Sequence, residues 1–384
     1  MSSSDSSSEG EERAQMLRMM RIYRRQRRSP FEYARYIPQL MQEFFLDDNT
    51  FINRFGLNPF EFEELHNMLA GRIRRHHTRF RDNIGTRERL AICLRFLASG
   101  QSMFELSRHY QIPYATVPVM VREVCKTLSQ YLMPIVMPPP TTKMWEKNAR
   151  DFKQKFDMPN CIGALEGKNL LVNGQKLVFL AIVDAHDRFV MVDLGYYRPN
   201  AYRSNVMVNS IIGRGLERKK FNVPPDKPIT DDSKPLPFMI LASSFFAPTS
   251  YLLTKYGRPE CHKNDLNKVF NTRISRAKVT VNRALLRLRN KWRVFQSPLP
   301  APPAVVERIV LSCCCLHNYF GLRARQPFEP DGPYAAVAIT EERFDTLIKL
   351  LPKESRDIRD TYKKHFLSPE GQVPWQWHDI LSET

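Results

Sequence analysis

The sequence predicts an all-helical amino-terminal region followed by an α/β domain. The helical prediction rests on residues 86–132, where apolar residues recur at helical spacing through a long helix, a short helix, a turn and another long helix. The α/β prediction rests on residues 176–195, in which two β-rich runs are joined by the turn His186-Asp187, the pattern of an antiparallel hairpin. Residues 273–292 then predict one amphipathic helix, with arginines such as Arg273 opposite its apolar face.

Composition limits the partners of this chain. Lys and Arg outnumber Asp and Glu by 58 to 40 among 384 residues, a net charge of +18 that favours nucleic acid first and an anionic membrane surface second. No apolar run approaches the ~18–20 residues of a membrane span, and no apolar signal segment follows Met1, so we expect no membrane insertion. The seven cysteines are odd in number and lie mostly inside apolar runs, which favours reduced thiols in a cytosolic or nuclear compartment. Because there is no CxxC pair, we expect no structural zinc site.

Shifts in composition divide the chain into five predicted segments. They are a disordered acidic and then basic arm (1–30), a helical helix-turn-helix-like domain (31–137), a Pro-rich linker with a short helix (138–158), the α/β core (159–367) and a tail (368–384). The basic part of the arm is interpreted either as a nuclear-import or phosphate-binding segment or as a solvated helix face.

The order of elements in residues 86–132 is that of a helix-turn-helix, whose last helix enters the major groove of DNA by its amino-terminal end. Thr86 is the predicted cap of the first helix and Gly100 its end, and the last helix starts near Thr116 with Pro118 in its first turn. A helical bundle that only packs is the alternative. The candidate DNA-contacting residues are Arg72, Arg74, Arg75, Arg79, Tyr114, Thr116, Arg122 and Lys126.

Three motifs carry a resemblance to a known family. They are the segment MPNCIGALEG from Met158, the helix with Ser275, Arg276, Ala277, Val281, Ala284, Arg287, Leu288 and Trp292, and the run with Cys314, Leu316, His317 and Asn318. In this order they resemble the PIF/Harbinger transposases, and the similarity spans about residues 86–366. The resemblance implies a ribonuclease-H-like core, a mixed sheet flanked by helices, behind an all-helical helix-turn-helix domain.

The resemblance also places the catalytic triad. Such transposases cut DNA with two divalent ions clamped by three carboxylates, and the matching positions here are Glu166, Ser243 and Asn282. Because Mg²⁺ prefers charged oxygen ligands, a single remaining carboxylate predicts no metal, no cofactor and no nuclease activity.

Other acids and thiols receive structural interpretations. Asp184 and Asp193 end strands, while Asp231 and Asp232 belong to a polar loop and are minor candidates for metal binding. Ser204 is the predicted cap of a helix over residues 204–215. The thiols of residues 313–315, with nearby His317, suggest metal, but neighbouring side chains on a helix diverge too far for one tetrahedral site, so we expect a packed core helix.

These observations predict a domesticated, catalytically inactive transposase derivative that acts in the nucleus as a DNA- or chromatin-associated protein. The resemblance implies a separate DNA-binding partner of the Myb/SANT or MADF type. Two alternatives stay open: a metal-dependent endonuclease that uses other acids such as Asp184, Asp231 or Asp232, and a protein scaffold that binds no nucleic acid.

Overall fold

The computed structural model describes residues 40, 43–44, 46–74, 84–195, 204–230, 233–243, 246–262, 264–321 and 353–377. It divides the chain into two compact units, the first formed by residues 1–131 and 291–297 and the second by residues 132–290 and 298–384. The arm of residues 1–30 and the predicted site residues Arg75, Arg79, Asp231 and Asp232 lie outside the described residues.

The described elements of the first unit are helical. They are α1 (Asp48–Phe55), α2 (Pro59–Ile73), α3 (Thr86–Ser99), α4 (Met103–His109), most of α5 (Thr116–Val136) and the short 3₁₀ helix Arg293–Gln296. Clustered aromatic rings fill the core between the first helices, with Phe51 and Phe55 at a centroid distance of 4.6 Å and Phe62 5.8 Å from Phe51. Burial of such side chains is the main force that holds short helices together.

Local sequence sets most of the helix ends. Asn58 starts α2 through a capping box with Glu61, and Gly100 ends α3, as predicted, in the left-handed region at φ 69°. The prediction that Thr86 caps α3 is wrong, because Gly85 is at the cap position. The hydroxyl of Thr86 instead lies 2.9 Å from Nε2 of His66.

The second unit combines a sheet with helices. Its elements are α6 (Thr142–Phe156), β1 (Cys161–Val172), β2 (Gln175–Val183), β3 (Phe189–Gly195), α7 (Ser204–Asn209), α8 (Ile211–Glu217), β4 (Met239–Ala242), β5 (Leu252–Thr254), α9 (Arg258–His262), α10 (Asp265–Lys291), α11 (Pro303–Gly321), α12 (Lys353–Leu367) and the 3₁₀ helix Pro374–Trp377.

The sheet has the strand order β3-β2-β1-β4-β5. The first three strands pair antiparallel, and β4 and β5 run parallel to β1. The hairpin predicted around His186-Asp187 is confirmed as the β2–β3 connection, where Asp187 adopts φ 62°. A mixed five-stranded sheet with flanking helices confirms the predicted ribonuclease-H-like class.

The two faces of the sheet bury different helices. On one face, Leu165 and Leu180 belong to the main apolar cluster with Trp145 of α6 and Ile212 of α8. Successive residues of a strand point to opposite faces, so the neighbouring Glu166 points to the other face, where it contacts α10. The predicted helix over residues 204–215 is in fact two helices, because the Ser210 side chain caps a new helix, α8, by accepting a hydrogen bond from the backbone N–H of Gly213 at 2.8 Å.

Helix α10 is longer than predicted, since it starts at Asp265 and ends at Lys291, one residue before Trp292. Its predicted apolar face is buried. The placement of Arg273 on a solvated face is wrong: the residue is 1% exposed and donates to the carbonyls of Asp157 and Gly371. The carbonyl of Gly371 belongs to residues 368–377, which pack against α10 and exclude water from the guanidinium.

Within the described residues, no helix is long and apolar enough to cross a membrane.

Candidate functional site

Adjacent strands bring two of the predicted triad positions together. Leu165 of β1 pairs with Ala242, the last residue of β4, and the next residues in sequence after these two are Glu166 and Ser243. The Glu166 side chain is buried, and its Oε1 accepts the backbone N–H of Gly167 at 3.1 Å. The Ser243 hydroxyl is buried and has no hydrogen-bond partner among the described residues. Only one of these two adjacent positions therefore carries a charge.

A lysine that was not among the predicted site residues completes this cluster. Lys278 projects from α10, and its Nζ donates to Oε2 of Glu166. Their side chains are only 6% and 8% exposed, so the ammonium and the carboxylate form a buried ion pair. The sequence contains only a weak signal for this residue: Lys278 follows the buried Ile274 by about one helical turn and lies at the edge of the predicted apolar face.

The third triad position lies on the same helix but apart from the ion pair. Asn282 follows Lys278 by four residues, about one helical turn, and so shares its side of α10. Its side chain is exposed. Within the described part of the chain, Asn282 makes no hydrogen bond to Glu166 or Ser243. The structure therefore brings Glu166 and Ser243 together and leaves Asn282 at the surface.

This set of donors does not fit the two divalent ions that the family uses. Divalent ions of this kind need several anionic oxygens, and the only carboxylate at the three positions already binds an ammonium. Among the described residues, no group of three His, Cys, Asp or Glu side chains is placed to hold a metal ion.

The other acids of the sheet have structural partners. Asp184 accepts the backbone N–H groups of His186 and Arg188 at 2.8 and 3.0 Å and pairs with the Arg188 side chain. Asp187 pairs with two arginines of α10, Arg283 at 2.9 Å and Arg287 at 2.8 Å. Asp184 therefore stabilises the turn between β2 and β3, and Asp187 stabilises the contact of this turn with α10.

The Asp193 carboxylate has a third structural role, because it accepts the backbone N–H of Ile211 at the start of α8, at 2.6 Å. Asp184 and Asp193 thus hold local structure, as the sequence analysis predicted.

The cysteine triplet lies in α11, where all three side chains are buried. Burial raises the pKa of Cys315 to about 12 and that of Cys314 well above its usual value, so both thiols stay protonated and are poor metal ligands at neutral pH. Nε2 of His317 lies 2.8 Å from the carbonyl oxygen of Asp187. A packed core helix, as predicted, accounts for these contacts.

The candidate DNA-contacting residues that the structure describes all lie in the first unit, and three of them are on α5. Arg72 and Arg74, Tyr114, Arg122 and Lys126 are exposed, and Thr116 is the half-buried first residue of α5. Arg122 and Lys126 are four residues apart and therefore share one side of the helix. Arg75 and Arg79 lie outside the described residues.

Comparisons with known proteins agree with this architecture. Residues 175–318 match the family model of the DDE superfamily endonucleases, a segment that contains Ser243, Lys278 and Asn282 and starts after Glu166. A curated relative, Protein ALP1-like from Arabidopsis thaliana, is 24% identical over 299 residues, which cover 71% of this chain and 70% of the relative. No solved structure matches the chain.

In its fold and over residues 175–318, the chain is therefore similar to the transposase-derived, DDE endonuclease-like proteins. Its similarity to the ALP1-like protein confirms the predicted resemblance to the Harbinger transposases.

Proposed function

We propose that this protein is a nuclear, DNA- or chromatin-associated derivative of a Harbinger transposase that no longer cuts DNA. The observation that carries the proposal is the donor set at the former catalytic positions: Glu166 is bound to Lys278, Ser243 is neutral, and Asn282 is exposed. Each charge absent at ~4 Å removes about 4 kcal/mol of attraction for a unit cation at an effective dielectric of 20, and more for a divalent one.

The basic surface supports retention of DNA contact. Arg72 and Arg74 are exposed in the first unit, Arg122 and Lys126 are exposed on one side of α5, and the whole chain carries a net charge of +18. A polyanion gains from such a surface mainly by releasing counterions, so this mode of binding needs no intact catalytic site.

The partner proposal follows from the resemblance. In the Harbinger family a separate DNA-binding protein of the Myb/SANT or MADF type works with the transposase, so we propose that this chain serves as an adaptor to such a protein on chromatin. Pull-down from nuclear extract followed by mass spectrometry tests this part, and recovery of no DNA-binding protein of either type contradicts it.

Two assays on the purified full chain test the central proposal. Supercoiled DNA should stay uncut with millimolar Mg²⁺ or Mn²⁺. If the wild type cuts DNA and Asp184→Ala or Asp232→Ala does not, the protein is instead a nuclease that uses these other acids. Duplex DNA should bind with a slope of log K against log[salt] of about −0.9 per phosphate contact between 50 and 200 mM salt. Binding that is undetectable at low salt favours the protein scaffold instead.

A matched pair of variants locates the DNA contact. Arg122→Glu/Lys126→Glu should weaken DNA binding at least tenfold and make the salt slope shallower by about 2, because two phosphate contacts are lost. Lys143→Glu/Lys364→Glu changes the net charge equally at two exposed positions of the second unit and should weaken binding much less. Equal losses in the two variants would mean that α5 is not the contact surface.

A further inference from the structure

We infer that Lys278 acts as a resident cation, held by the chain itself, that takes the place of the divalent metal at Glu166. The inference rests on the proposed loss of metal chemistry. It adds a structural cause for that loss: besides the missing carboxylates, the ammonium of Lys278 occupies the position at Glu166 where a metal ion would bind. No mobile ligand is then needed for the core to fold.

The position of Lys278 on α10 is the first argument. The residues around it on the helix, Ile274, Ala277 and Val281, are fully buried, and Lys278 itself is only 4% exposed. Lysine is almost never buried unless it is paired, because removing an ammonium from water is costly. Its burial is explained by the carboxylate of Glu166, which it meets on the central strand of the sheet.

The occupancy of the carboxylate is the second argument. Oε2 of Glu166 accepts from the Lys278 ammonium, and Oε1 accepts the N–H of Gly167 at 3.1 Å. Both oxygens already have a donor. A divalent ion at Glu166 must displace the ammonium or lie beside it, and two cations that share one carboxylate repel each other strongly in a buried site.

Ser243 supplies the third argument. Its buried hydroxyl has no hydrogen-bond partner among the described residues, although it follows the strand that pairs with β1 beside Glu166. A hydroxyl adds no charge, so the negative charge of Glu166 and the positive charge of Lys278 balance each other. The net charge of these three side chains is therefore zero without a bound metal ion.

The test distinguishes two reasons why Glu166 binds no metal ion: the presence of the Lys278 ammonium and the absence of a carboxylate at Ser243. Ser243→Asp adds a second carboxylate beside Glu166 but keeps Lys278, and Ser243→Asp/Lys278→Met also removes the ammonium. We expect 5 mM MnCl₂ to leave the Tm of the wild type and of Ser243→Asp unchanged, relative to ionic-strength-matched NaCl. The same salt should raise the Tm of the double variant by about 3 °C or more, because metal that binds only the folded state stabilises it. Ser243→Asp/Lys278→Arg keeps a cation and should stay unresponsive.

The outcomes separate this inference from the proposed function. A Mn²⁺ response in Ser243→Asp as large as in the double variant overturns the role of Lys278, while an uncut DNA substrate with wild-type protein leaves the proposed function intact. Metal-dependent cutting by the wild type overturns both. If Ser243→Asp/Lys278→Met does not fold alone, recovery of its circular dichroism on Mn²⁺ titration supports the inference, and failure to recover counts against it.

A measurement on the unaltered site complements the variants. The Nζ of Lys278 should give an ¹⁵N NMR signal whose protons exchange slowly at neutral pH, and this signal should disappear in Glu166→Gln. A fast-exchanging lysine at this position would contradict a resident buried cation.

Discussion

Glu43 of the helical unit and Glu166 of the α/β unit are both buried, and their carboxylates are held in different ways. Glu43 of the helical unit accepts from four side chains, Arg54 at 2.6 Å, His109 at 3.0 Å, Tyr110 at 2.8 Å and Arg95. Glu166 of the α/β unit has one charged partner, Lys278, and one backbone donor.

The difference shows what each carboxylate does. Burial alone raises the pKa of Glu43, but the charge of Arg95 and hydrogen bonds from Tyr110, His109 and Arg95 outweigh it, so the net pKa is lowered. The Glu43 carboxylate therefore links side chains from several helices, and no one of its partners alone holds it in place. Glu166 depends on one ammonium, which agrees with the proposal that Lys278 takes the place of a metal ion there.

The largest expected effect is the loss of the Glu43 charge. Glu43→Gln leaves the guanidinium of Arg95, which is 8% exposed, without a counterion, and an arginine cannot release its proton. We expect a loss of about 3–5 kcal/mol in the unfolding free energy of the helical unit. Glu166→Gln should cost about 1–3 kcal/mol, because a buried lysine can deprotonate.

The measurement is urea unfolding at pH 7 and pH 9, monitored separately for each unit by hydrogen exchange in its peptides. The cost of Glu166→Gln should shrink at pH 9 and that of Glu43→Gln should not, with Glu307→Gln as the exposed control. Equal, pH-independent costs would contradict the distinction between the two centres.

A neutral double replacement sharpens the same comparison. Glu166→Met/Lys278→Met removes both charges and fills the space with apolar atoms, so its stability should return to within about 1 kcal/mol of the wild type. No single additional change should rescue Glu43→Gln to that extent, because several partners remain unpaired. Thermal unfolding of the single and double variants measures the coupling, and a double variant less stable than Lys278→Met would argue against a simple ion pair.

The two units should respond alike to acid through one histidine each. Burial and the charge of Arg87 lower the pKa of His66 to about 4, and burial with the charges of Lys153 and Arg273 lowers that of His365 to about 4. The unfolded chain therefore binds a proton at each site between its ordinary pKa near 6.5 and 4, and the folded chain does not. Stability is lost as the pH falls through this window.

His66→Gln and His365→Gln should each flatten this pH dependence by about 1–3 kcal/mol, measured by urea unfolding from pH 7 to pH 4. Replacement of the more exposed His186 is the control. A variant that retains the full wild-type slope would mean that its histidine titrates in the folded state as it does in the unfolded chain.

The sequence predicted what depends on local pattern. Helical spacing found α3, α5 and the apolar face of α10, and β-rich runs found the β2–β3 hairpin. It could not find Glu43, whose partners Arg95 and Tyr110 are 52 and 67 residues away in the chain. Such pairs depend on tertiary packing, for which helical periodicity holds no information.

The α/β site was predicted in part. Motif resemblance selected Glu166, Ser243 and Asn282, but the contact of Glu166 with Lys278 spans 112 residues and depends on how α10 crosses the sheet. Arg273 was misplaced for a similar reason, since residues 368–377 cover a position that the helix alone leaves near the edge of its apolar face.

The smallest expected effect concerns the third triad position. Asn282 is exposed on α10, and exposed substitutions usually change stability by less than about 0.5 kcal/mol. Asn282→Glu adds a carboxylate one turn beyond Lys278, where the lysine-before-glutamate order stabilises a helix only weakly. We therefore expect its Tm to match that of Asn282→Gln within about 1 °C, and MnCl₂ to have no effect on either variant. A large loss of stability, or a response to Mn²⁺, would show that a longer acidic side chain at 282 reaches Glu166, and that the third position of the former triad is still part of the buried site.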